Sequence, residues 1–150
     1  MSVSSSSPSP AKILLIDDNK MGLVARRAVL EELGYVVTTA GSASEGMKRF
    51  VETSFELVIT DYKMPRMSGI QLIEKIRKEA PAIPIILLSG FAEALGLDEK
   101  NTGADIVIQK SANEVTHMVR GVRKLLRKRK TPKKPAASQG RASRTRRKSG

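Results

Sequence analysis

Residues 57–69, LVITDYKMPRMSG, decide how the rest of the chain is read. Leu57, Val58, Ile59 and Thr60 form a short run of apolar or β-branched residues with no polar alternation, the pattern of a strand buried on both faces. The run ends in one carboxylate, Asp61, and Tyr62, Lys63, Met64, Pro65 and Gly69 then break the pattern into a turn. A buried strand that delivers an acid to the mouth of a turn holds that acid on the rim of a sheet.

Four more runs of this kind lie outward from it: AKILLID (11–17), YVVTTA (35–40), IPIILLSG (83–90) and ADIVIQK (104–110). Helical patterns separate them. NKMGLVARRAVLEELG (19–34) carries a stripe of Leu23, Val24, Val29, Leu30 and Leu33, with Gly34 where a C-terminal cap belongs. Ser42 and Glu45 have capping-box spacing before the next helix, and Ile70, Ile73 and Ile76 share one side of the helix in 68–80. FAEALGLDEKNTG (91–103) supports a short helix at best. Residues 111–130 form a last amphipathic helix, with a stripe of Val115, Met118, Val119, Val122, Leu125 and Leu126 and a capping box of Ser111 and Glu114. Five βα units with apolar strands imply an α/β fold, a doubly wound, five-stranded parallel sheet covered on both faces. Such sheets bind ligands at the carboxyl ends of their strands.

Composition sets the outer limits. The 150 residues suit one domain with tails, and few aromatics mean an aliphatic core. With no cysteine there is no disulfide framework, thiolate metal site or thiol nucleophile. The Ser/Pro-rich start (1–10) lacks the features of a signal peptide and is expected to be disordered. No run of about 18 apolar residues is present to cross a bilayer, so a soluble, cytoplasmic protein is expected. The net charge of +12 is unevenly spread. Residues 1–119 hold 13 bases and 15 acids, a net of −2, whereas 120–150 hold 14 bases and no acid. The folded unit is expected at 11–130, and the basic tail, 131–150, is expected to be disordered.

Asp17 and Asp18 end the first strand, Asp61 the third, Ser89 the fourth and Lys110 the fifth. Taken singly each has an ordinary reading: Asp17, Asp18 and Asn19 could cap the next helix, and Asp61 could belong to a turn. Together they place three carboxylates, a hydroxyl and an ammonium on one rim. Three carboxylates this close repel unless a cation intervenes, and an oxygen-only donor set favours Mg²⁺ over zinc. Ser89 and Lys110 suit the oxygens of a phosphoryl group, and one carboxylate could be the nucleophile that takes it up as an acyl phosphate.

LLIDDN, VITDYKMPRMSG, ILLSG and IVIQK stand in the order of the signature blocks of bacterial response-regulator receiver domains, which the chain resembles over residues 11–130. The resemblance implies a flavodoxin-like (β/α)5 fold with strand order 2-1-3-4-5. It implies that Asp61 is the phosphoacceptor, supplied by a phosphohistidine on a sensor histidine kinase or phosphotransfer protein. Asp18 would bind Mg²⁺ directly, Asp17 mainly through water, and Lys63 through its backbone carbonyl. Ser89 would bond a phosphoryl oxygen and Lys110 neutralise its charge, making the protein a phosphorylation-dependent switch rather than an enzyme. Two positions depart from the family: Val107 replaces the aromatic residue whose inward swing reports phosphorylation, and Ser111 replaces the proline after the lysine. Lys63 and Phe91 each lie two residues past a site residue, where both can overhang the phosphoryl group and shield it from water.

The basic end admits a second class of function. Its composition suits sequence-independent attraction to a polyanion such as nucleic acid or an acidic lipid surface, with no aromatics for base stacking. In that reading the receiver is a degenerate scaffold for a nucleic-acid-binding tail. A phosphatase with an aspartyl nucleophile is the enzyme alternative, but the Asp-x-Asp arrangement such enzymes use is absent. The sequence leaves the oligomeric state, the cognate kinase and the downstream output open.

Overall fold

A computed structural model describes residues 9–130. The expectations of disorder for 1–10 and 131–150 therefore fall, apart from Ser9 and Pro10, outside the described residues. The strands are β1 (Lys12–Ile16), β2 (Val36–Ala40), β3 (Leu57–Asp61), β4 (Ile85–Ser89) and β5 (Ile106–Gln109). Between and after them come α1 (Lys20–Glu32), α2 (Ala43–Glu52), α3 (Gly69–Glu79), α4 (Ala92–Leu95), α5 (Glu99–Thr102) and α6 (Glu114–Lys130). All pairings are parallel and the order is β2-β1-β3-β4-β5, the doubly wound sheet that the apolar runs implied.

Strand alternation splits the core into two layers. Ile13, Leu15, Leu57, Ile59, Ile86, Leu88 and Ile108 face α1 and α6, meeting Leu23, Leu30, Met118, Val122, Leu125 and Leu126. Leu14, Ile16, Val58, Ile85 and Leu87 face α2 and α3, meeting Ala43, Leu72, Ile73 and Ile76. Every residue of β3 and β4 is buried, which is why those runs show no polar alternation.

Local signals set the helix ends, with some corrections. The Ser42 hydroxyl accepts the Glu45 N–H as expected, but the Glu45 carboxylate reaches one residue further back, to the Gly41 N–H. Ser68 and Gln71 close a full capping box on α3. Gly34, at φ 99°, ends α1 in the left-handed region that favours glycine. The 91–103 segment forms two single turns rather than one short helix. Ser111 does not cap α6: its hydroxyl accepts the Asn113 N–H, while the Glu114 side chain turns away to Arg26. Val115 is 40% exposed although it falls in the apolar stripe, because the first turn of α6 sits at the rim, where the strands have ended. Val24 is likewise exposed on α1.

Candidate functional site

The carboxyl rim of the sheet brings most of the expected residues into one cleft of about 540 Å³, lined by Asp17, Asp18, Asp61, Lys63, Phe91 and Lys110 among others. β1 and β3 are adjacent, so the acids that follow Ile16 and end β3 meet directly. One oxygen from each of Asp17, Asp18 and Asp61 lies within 4.8 Å of the others. That spacing and the all-oxygen donor set fit a hard divalent cation. Asp17 and Asp61 are buried and Asp18 is exposed, so the cluster opens outward through Asp18. Asn19, not the acids, caps α1 by accepting the Gly22 N–H.

The turn after β3 accounts for the tail of the opening stretch. The Tyr62 N–H donates to the Leu88 carbonyl, and the Gly69 N–H donates to the Tyr62 carbonyl at 2.7 Å, folding 62–69 back on the strand end. A Cβ at position 69 would stand 2.3 Å from the Asp61 carbonyl oxygen and 2.9 Å from Leu87, so only glycine lets α3 start this close to the acid.

Two cations compensate the cluster. Lys110 Nζ is 2.6 Å from Asp61 Oδ1 and 3.9 Å from Asp17 Oδ2. Burial pushes the Asp61 carboxyl above its ordinary range; the Lys110 bond opposes that shift, and the charge of Asp17 adds to it. Both oxygens of Asp17 have protein donors: Oδ1 accepts the Asn19 N–H at 2.9 Å and Oδ2 the Arg26 guanidinium at 2.7 Å. The Lys63 ammonium stands 5.3 Å from the centre of the Phe91 ring, a cation–π pair between two residues that line the cleft. Ser89 is buried just behind the lining, its hydroxyl accepting the Phe91 N–H at 2.9 Å.

A sequence model of the response regulator receiver domain matches residues 13–123. The chain belongs to that family. It is 30% identical over 117 residues to the alkaline phosphatase synthesis transcriptional regulatory protein PhoP of Bacillus subtilis, covering 74% of this chain and 48% of PhoP. Against the transcriptional regulatory protein GlrR of Escherichia coli it is 39% identical over 80 residues, 53% of this chain but 18% of GlrR. The chain thus spans less than half the length of these relatives. Among solved structures, a response regulator receiver domain protein from Clostridium thermocellum superposes with a TM-score of 0.72 at 32% identity, covering 80% of this chain and 97% of that one. TrrA of Thermotoga maritima, solved in complex with Mg²⁺-BeF, gives a TM-score of 0.70 at 32% identity, covering 77% and 98%.

In this receiver, then, the fold and the phosphorylation-dependent switching role follow from the family. Val107 lies half-buried on β5, paired with Leu87, so no aromatic ring stands at that position to move. The residue that sequence reading missed is Arg26. It is 7% exposed and joins two acids at once, donating to Asp17 and, through Nε, to Glu114 Oε2 at 2.5 Å. Burial alone would loosen its proton, but the bonds to Glu114 and Asp17 outweigh that and hold the guanidinium charged. Its signal was present: position 26 falls between Leu23 and Leu30 on the buried stripe of α1, where an arginine requires a partner. The partner, 88 residues away, was not legible.

Proposed function

We propose that Asp61 is the residue that takes the phosphoryl group, and that a sensor histidine kinase or phosphotransfer protein supplies it. The observation that carries this reading is the position of Asp61, buried at the end of β3 within reach of two acids and bonded to Lys110. One Asp61 oxygen attacks phosphorus, the donor group leaves, and the new acyl phosphate keeps its charge against the Lys110 ammonium, which is already in place. Asp18, exposed at the mouth, and Asp61 would hold Mg²⁺ directly together with the Lys63 carbonyl. Asp17, its two oxygens already taken by Asn19 and Arg26, would act through water. Bound there, Mg²⁺ would neutralise the phosphoryl oxygens as charge builds up. Ser89 keeps its hydroxyl proton free to donate to a phosphoryl oxygen. Lys63 and Phe91 cover the cleft from one side, where they would slow the entry of hydrolytic water. Among the described residues no helix is long and apolar enough to cross a membrane, and a cytoplasmic location suits a partner fed by cytoplasmic kinases.

The test is uptake from acetyl phosphate. With Mg²⁺ present, the intact protein should gain one phosphoryl group by mass, and Asp61→Asn should gain none. Uptake that persists in Asp61→Asn removes the assignment.

A second reading rests on α6. Arg120, Arg123, Lys124, Arg127 and Lys128 are all exposed and recur at helical spacing, opposite the buried Met118, Val122, Leu125 and Leu126. With its apolar face spent on the core, this helix has none left to insert into a bilayer, and the cationic stripe suits the phosphates of duplex nucleic acid. That binding would be an output of the receiver, not a replacement for its switch.

A further inference from the structure

The phosphoryl site lies beyond the N-terminal end of α6, and the basic stripe runs along the helix from Arg120 to Lys128. At about 1.5 Å per residue the stripe starts about 9 Å along the helix from Glu114 and ends about 21 Å along it, against a screening length of about 8 Å in physiological salt. A charge added at Asp61 is therefore largely screened at the far end of the stripe. The aromatic residue that would carry the signal mechanically is replaced by Val107.

One connection does run from the cleft to the helix. Arg26 donates through Nη1 to Asp17 Oδ2 and through Nε to Glu114, the first residue of α6. All three are largely withdrawn from solvent, with side chains 9%, 2% and 14% exposed. The local sequence makes room for the link. Gly22 sits in the first turn of α1, where it leaves space beside the link. A Cβ there would lie 2.8 Å from Arg26 Nη1 and 3.2 Å from Asp17 Oδ2.

We propose that Arg26 is a positioning residue that couples the acid cleft to the first turn of α6, by sharing one guanidinium between Asp17 and Glu114. The proposal rests on the reading of the cleft as a divalent-cation and phosphoryl site. A cation in the cleft, reached from Asp17 through water, competes with Arg26 for the charge on Asp17 Oδ2. As Asp17 is drawn toward the cleft, its bond to Arg26 weakens and the guanidinium turns its charge on Glu114, resetting the start of the helix. Coupling of this kind is reciprocal. Neutralising Glu114 leaves Arg26 to Asp17 alone, which tightens that bond and weakens cation binding, although Glu114 does not line the cleft.

The test is a Mg²⁺ titration of the full chain followed by backbone amide NMR, in the wild type, Glu114→Gln, Arg26→Gln, the double variant and Gly22→Ala. Glu114→Gln should weaken Mg²⁺ binding about fivefold, the low end of couplings between sites. In the Arg26→Gln background the same change should have no effect. Mg²⁺ should shift the amides of residues 114–118 in the wild type but not in Arg26→Gln, which has no charge to share between the two acids. Gly22→Ala should reproduce that loss while strengthening the helix, which separates a positioning role from mere instability. An equal effect of Glu114→Gln with and without Arg26, or wild-type shifts at 114–118 in Gly22→Ala, overturns the coupling. Failure of the wild type to bind Mg²⁺ at all overturns the reading of the cleft itself.

Discussion

At the scale of single residues, the site pits burial against charge. Asp61 is pushed up by burial more than Lys110 pulls it down, so the fold favours its protonated form. The folded protein then binds more protons here than the unfolded chain does. The stability linked to Asp61 is fully present below its unfolded pKa and is lost as pH rises through the raised one. At neutral pH, without divalent cations, Asp61→Asn should therefore melt higher than wild type. The gap should close as pH falls through the carboxylate range; a wild type that melts higher at pH 7 would contradict the burial argument. Gly69 gives the opposite kind of case. Gly69→Ala drives a methyl into the Asp61 carbonyl oxygen, backbone that cannot step aside, and should cost about 1–3 kcal/mol in urea titration.

Among the elements, those that face the core on both sides were the most legible. β3 and β4 are wholly buried, so their sequences carry no alternation and read directly as central strands. The placement of the five candidate residues at strand ends was legible for the same reason, because a strand that stops at a polar residue fixes where that residue stands. What the sequence left unread lies where partners come from far along the chain. Glu114 has the spacing of a cap for α6, but the buried Arg26 claims its carboxylate instead. Val115 has the period of the apolar stripe, yet the sheet ends before it can be covered. The two should differ in mutation: Met118→Ala, fully buried, should cost about 2–5 kcal/mol, and Val115→Ala within about 0.5 kcal/mol by thermal unfolding.

Over the whole molecule, slightly acidic residues 1–119 are followed by a basic helix face that continues in sequence into residues 131–150. If that face engages duplex DNA, log affinity should fall with log salt at about −0.9 per phosphate contacted, irrespective of base sequence. A fluorescence titration at several salt concentrations reads that slope, and a flat response would leave the stripe as a solubilising surface. The central claim, however, is where the phosphoryl group sits. Borohydride reduction after treatment with acetyl phosphate and Mg²⁺ converts an aspartyl phosphate to homoserine, which peptide mass spectrometry locates. Homoserine at position 61 alone is the expected result; phosphoryl uptake with homoserine at Asp17, Asp18 or nowhere would contradict it.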